Sequence, residues 1–152
     1  MLVLKIGEKE YKIEYSIEAS LATDCVEQIT NTVCGLNNSL NKNPILSLLG
    51  GVKNKPKTAL AMLYSGLLEH HGTASGDGSI TCENDAKKLM KQYFSEHKDD
   101  GAGNYHALYS LLIGQMEDDG FFDLIGLEQT MNDITELVEK IKEVQTKNKP
   151  KK

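Results

Sequence analysis

The chain opens with its large apolar residues recurring at every second position. Leu2, Leu4 and Ile6 are separated by Val3 and Lys5, and Tyr11, Ile13 and Tyr15 by Lys12 and Glu14. Gly7-Glu8-Lys9-Glu10 interrupts the two runs. A period of two broken by a Gly-containing turn predicts a β-hairpin over residues 1–15. Two strands alone are marginal in water, so the apolar face of the hairpin needs a cover.

The period then becomes helical. Behind Ser16, a candidate N-cap, Ile17, Leu21, Cys25, Ile29 and Val33 recur at every fourth position and predict one helix ending before Gly35. The stretch GLNNSLNKNPILSLLGGVKNKP (residues 35–56) is rich in Asn and Gly and reads as a connector, with at most a short helix over 44–49. A second helix is predicted from Asn54 as cap and Pro56 in the first turn, where the missing N–H costs nothing. Leu60, Leu63, Tyr64, Leu67 and Leu68 share one face of it, and Gly72 ends it. A loop over residues 73–80 leads to Thr81 as the next cap, and Ala86, Leu89, Met90, Tyr93 and Phe94 mark the third helix.

HKDDGAGN closes that helix, and Asn104 caps a fourth with Leu108, Leu111, Leu112 and Met116 inward. DDGFFDLIG (118–126) is a break followed by an apolar cluster. In the last segment Leu127, Met131, Ile134, Val138 and Ile141 are spaced 4, 3, 4 and 3 apart, a seam of about two heptads. The expected fold is mainly α: a compact helical domain of about five helices with an N-terminal β-hairpin, spanning residues 1–146, followed by a flexible basic tail at 147–152.

Composition narrows the function. At 152 residues and 39% hydrophobic the chain has the size of one domain with a modest core and no Trp. The net charge is −5, and all 17 basic residues are Lys. Arg is the side chain suited to bidentate grip on phosphate and guanine, so its absence weighs against nucleic-acid partners and phosphate chemistry. No run approaches the roughly 20 apolar residues of a membrane span, and the alternating N-terminus is unlike a signal peptide. Cys25, Cys34 and Cys82 are odd in number and lack CxxC spacing, which fits reduced thiols and a cytoplasmic setting.

The stretch LYSGLLEHHGTASGDGSI (63–80) is the most chemical in appearance. Adjacent positions on a helix point about 100° apart, so His70 and His71 cannot both face one metal ion, and no HExxH spacing is present. One of the pair is expected to lie over the last helical turn, where its charge suits the dipole. GTASGDGS lacks the Gly-Lys-Ser/Thr ending of a P-loop, and DDGAGN and DDGFFD lack the ligand alternation of a calcium loop. His97 and His106 have no matching partner. Cys82, in a first helical turn, is the one thiol whose position could activate it. These residues point to a protein that is not an enzyme and needs no cofactor or metal.

A binding role remains. Phe121, Phe122, Leu124 and Ile125 can plug the core or form a knob for a partner helix. The last helix can serve the core or lie against another chain, and the hairpin edges could accept a strand. The candidate partner-binding residues are therefore Leu60, Leu63, Tyr64 and Leu67 with Phe121, Phe122, Leu124 and Ile125, and further copies of this chain are candidate partners.

The order LKIGEKEYKIEYSIEAS, ALAMLYSGLLEHHG, CENDAKKLMKQYFSEH and MEDDGFFDLIG, covering about residues 1–145, resembles the tail assembly chaperones of long-tailed (siphovirus-type) phages and prophages. The resemblance implies a cytoplasmic, mostly helical protein that coats the aggregation-prone tape measure protein until tail tube subunits polymerise around it. It implies absence from the mature virion and a role in recruiting the tail tube protein, in some members through a frameshifted longer form. No catalytic residue or cofactor comes with it. Adaptable Met62, Met90, Met116 and Met131 suit such a holdase, and the lysines of TKNKPKK fit an A-rich slippery stretch as well as a solubilising tail. The rival readings are a structural tail or head-completion protein retained in the virion and a small protein-binding regulator.

Overall fold

The structure, a computed structural model, describes residues 1–22, 25–29 and 44–147, with side chains described except at 44–54, at Met131, Ile134, Val138 and Lys142, and at 145–147. The predicted helix end at Val33–Gly35, Cys34, the first part of the connector and the tail beyond Lys147 lie outside the described residues.

Strands β1 (Leu2–Ile6) and β2 (Lys9–Ile13) pair antiparallel, with Leu2 opposite Ile13 and Ile6 opposite Lys9. The turn is shorter than the four residues expected. Gly7, at φ 62°, supplies the positive φ that a two-residue hairpin turn needs at its first position, so pairing resumes at Lys9. Leu4, Ile6, Ile13 and Tyr15 turn one face into the core, as alternation requires.

The first predicted helix is two pieces. Helix α1 (Ile17–Leu21) is capped by the Ser16 hydroxyl, which accepts from the Glu18 N–H, and it ends where Ala22 turns extended. A second helical segment, α2, follows at residues 25–29. Because the chain breaks between them, the four-residue stripe does not stay on one face. Cys25 and Ile29 are buried, whereas Ile17 and Leu21 are 64% and 73% exposed, and Ala19 is the buried residue of α1. Both α1 residues were expected in the core, so this corrects the expectation.

The connector is also corrected. A single helix, α3 (Pro44–His71), runs through Gly50, Gly51 and Pro56. Pro44 takes the first-turn position assigned to Pro56, so the starting signal lies earlier in the chain. Pro56 is internal, at a typical cost of about 3 kcal/mol. Helix α4 (Glu83–Glu96) starts one residue later than predicted, with Cys82 at the N-cap position. Thr81 instead directs its N–H and hydroxyl to the Asp85 carboxylate, at 3.1 and 2.7 Å. Helix α5 (Tyr105–Asp118) is capped by Asn104 as expected, its side chain accepting from the Ala107 N–H. The short α6 (Phe121–Leu124) and long α7 (Leu127–Lys147) complete the described chain.

The fold is mainly α with an N-terminal hairpin, in more pieces than expected because the first helix divides and the DDGFFDLIG cluster forms a helical turn of its own. Helix α3 is the hub, packing on α1, β2, α4 and α5. Its buried Met62, Leu63 and Leu67 meet Met90 and Tyr93 from α4, Leu108, Leu112 and Met116 from α5, and Phe121 from α6. Gly66 lets the hairpin approach the helix. A Cβ there would lie 2.6 Å from Ile13 Cγ2 and 3.1 Å from the Tyr15 ring. The Gly66 carbonyl also accepts the Glu14 N–H at 2.9 Å.

Tyr15 joins three parts of the molecule. Its hydroxyl donates to the Met62 carbonyl at 3.0 Å, its N–H donates to Asp119 Oδ2 at 2.8 Å, and its ring packs 5.4 Å from that of Phe121. Burial drives its phenol well above the ordinary tyrosine range, which keeps the proton available as a donor.

Candidate docking surface

The histidine pair is accounted for by the hairpin. His70 Nε2 meets Glu14 Oε2 at 2.6 Å. His71 Nε2 accepts the Lys12 N–H at 3.0 Å, and its Nδ1 lies 3.1 Å from Asp77 Oδ2. Since Lys12 is the donor, His71 is the tautomer with hydrogen on Nδ1, bridging strand β2 to the loop after α3. Each ring thus holds the hairpin to the end of α3 from a different side. Among the described residues no group of three or more His, Cys, Asp or Glu is placed to hold a metal ion.

The GTASGDGS loop is held by its own polar groups. Asp77 accepts from the Ser79 N–H at 2.9 Å, and the Gly76 and Gly78 N–H groups return to the Gly72 carbonyl. The Ser79 hydrogen bonds, followed by His71, lower the Asp77 carboxyl from 3.8 to about 2. Cys82 directs its thiol to Asp85 Oδ2 at 3.8 Å, a carboxylate neighbour opposite in charge to what activates a thiolate. Burial pushes Cys25 up to about 11, leaving it a protonated core residue. Among the described residues no buried side-chain nitrogen or oxygen lacks a hydrogen-bond partner.

The candidate partner-binding residues divide by burial. Leu63, Leu67 and Phe121 lie in the core, and no partner reaches them without opening the fold. Leu60, Tyr64, Phe122 and Ile125 are half-buried and pack against that core. Leu124 alone of the eight is classed among the exposed apolar residues. The face of α3 chosen from its periodicity is therefore mainly the seat of the hairpin, α4 and α5.

The open apolar surface lies further along the chain. On α7, Leu137, Ile141 and Val144 are 58%, 48% and 58% exposed. Their spacing of four and three residues aligns them on one helical face. Helix α7 packs against α6, whose Leu124 is also exposed, and this leaves the described part of its stripe facing outward. Its polar positions are typical of solvent, with a 3.8 Å Glu136–Lys140 pair one turn apart. Sequence reading found Ile141 but missed Leu137 and Val144. They form a second seam interleaved with the Leu127-to-Ile141 one, so that the apolar stripe is wider than a strict heptad seam.

Among the described residues no helix is long and apolar enough to cross a membrane. Comparison with protein-family models, with curated proteins and with solved structures finds no match to this chain.

Proposed function

We propose that this chain is a non-enzymatic chaperone that holds an apolar helical client in the cytoplasm, the client being a phage tail tape measure protein, and that it helps bring tail tube subunits to that client before leaving the assembled particle. The observation that carries the reading is the exposed Leu137–Ile141–Val144 stripe of α7. An amphipathic helix with an open apolar face is the complement of another amphipathic helix. Such a face needs no turnover chemistry, and scattered single apolar residues would not supply it. The motif order LYSGLLEHHG followed by DDGFFDLIG supports the same reading through its likeness to tail assembly chaperones. The tail tube partner rests on that likeness alone.

Co-expression with the largest helical protein encoded just downstream, followed by affinity capture and light scattering, tests the proposal. The expected result is a soluble complex carrying several copies of this chain per client. A client that stays insoluble with or without this chain would overturn the reading.

A further inference from the structure

We propose that the helix received on α7 carries lysine or arginine at its end nearest α6, so that the surface selects by charge as well as by apolarity. This rests on α7 being the docking surface and names the chemistry of what docks there. Asp133, Leu137 and Ile141 stand four residues apart in one row along α7, and Glu136, Lys140 and Val144 form the row beside it. Each row therefore begins with an exposed carboxylate on the side of α6. Residues 117–136 hold Glu117, Asp118, Asp119, Asp123, Glu128, Asp133 and Glu136 and no lysine. Asp119 is spent inside the fold, accepting from the Tyr15 N–H and the Gln115 amide. The others are exposed, and among the described residues only Glu136 meets a cation, Lys140 at 3.8 Å. Exposed Leu124 lies between Asp123 and Glu128 in the sequence. Over residues 137–147, Lys140, Lys142 and Lys147 stand against Glu139 and Glu143, so the negative charge is confined to the α6 end.

The helix dipole accounts for Glu128, which lies in the first turn of α7, because that attraction fades within a turn. Asp133 and Glu136 lie beyond its reach. An apolar helix laid over Leu137 and Ile141 would strip water from these two carboxylates and replace it with nothing, and an acidic helix would add like-charge repulsion. A helix with lysine or arginine at that end pairs them while its apolar face covers the stripe. Its other end meets a nearly balanced surface and needs no such charge, which gives the docked helix one orientation.

Two synthetic amphipathic helical peptides with the same leucine face test this on the full chain by isothermal titration calorimetry. One carries lysine and the other glutamate at the polar positions of one end. The lysine peptide is expected to bind about tenfold more tightly or better, with the difference shrinking in high salt. Asp133→Lys with Glu136→Lys should erase the preference. Glu8→Lys with Asp99→Lys, the same change of charge outside α7, should keep it. Leu137→Asn with Ile141→Asn should abolish binding of both peptides. Circular dichroism matching the wild type shows that each variant remains folded. Equal affinity of the wild type for the two peptides would overturn the charge selection and leave the docking surface standing. A preference that survives Asp133→Lys with Glu136→Lys would overturn it too. Binding that the asparagine variant does not weaken, or no binding of either peptide, would overturn the docking reading along with it.

Discussion

Helices α3 and α7 both carry apolar residues at helical spacing, yet one stripe is closed and the other open. On α3, Met62, Leu63 and Leu67 are buried in the core that the hairpin and the neighbouring helices close over. On α7, Leu137, Ile141 and Val144 face outward. Periodicity gives the direction in which a helix is apolar but does not say what covers it. The difference lies in the residues between the apolar ones. Helix α3 interleaves Ser65 and Gly66, which permit close approach, and ends on His70 and His71, which reach the hairpin. Helix α7 interleaves Glu and Lys, which keep their heads in water.

The comparison can be broken most severely at the core. Phe121 is fully buried against Tyr15, so Phe121→Ala should lower stability by about 3–5 kcal/mol in urea unfolding. At Gly66, alanine would ordinarily favour a helix by about 1 kcal/mol. Here the added Cβ meets buried Ile13 and Tyr15, so Gly66→Ala should instead destabilise by about 1–3 kcal/mol and loosen hydrogen exchange in β2. His71→Leu removes the acceptor of the Lys12 N–H, and a loss of about 1–2 kcal/mol is expected, with the exchange of the Lys12 amide rising.

A smaller effect sharpens the loop that closes α3. The Asp77 carboxyl is depressed to about 2, so the stability it contributes is present above its unfolded value near 4 and is lost as pH falls through about 2. Asp77→Asn should therefore flatten the acid side of the stability profile between those values, and only in part, because Asp85, Glu96 and Asp100 are also depressed by their hydrogen bonds. Smallest of all, Leu137→Ala should change unfolding free energy in dilute solution by less than about 0.5 kcal/mol, since its side chain is already in water.

The hairpin was legible because period two leaves no competing pattern, and the caps Ser16 and Asn104 were legible because each precedes a helix by one residue. The division at Ala22 was hidden because the four-residue spacing of Ile17, Leu21, Cys25 and Ile29 continues in number across a break in the backbone. The early start of α3 was hidden because Gly50 and Gly51 read locally as connector and Pro56 as a first-turn proline. The candidate surface was half legible. Ile141 stood in the predicted seam, but Leu60-to-Leu67 and Phe121 carry the same apolar signal for burial that a docking face would, and only tertiary cover separates the two.

The most direct test of the account is co-expression of the proposed client, a tape measure protein, with the Leu137→Glu, Ile141→Glu double variant. These side chains are exposed, so the variant should fold with unchanged helicity and nearly unchanged stability. If α7 is the docking surface, the client then aggregates as though this chain were absent. A client kept as soluble by the variant as by the wild type would contradict the account and move the binding surface elsewhere on the molecule.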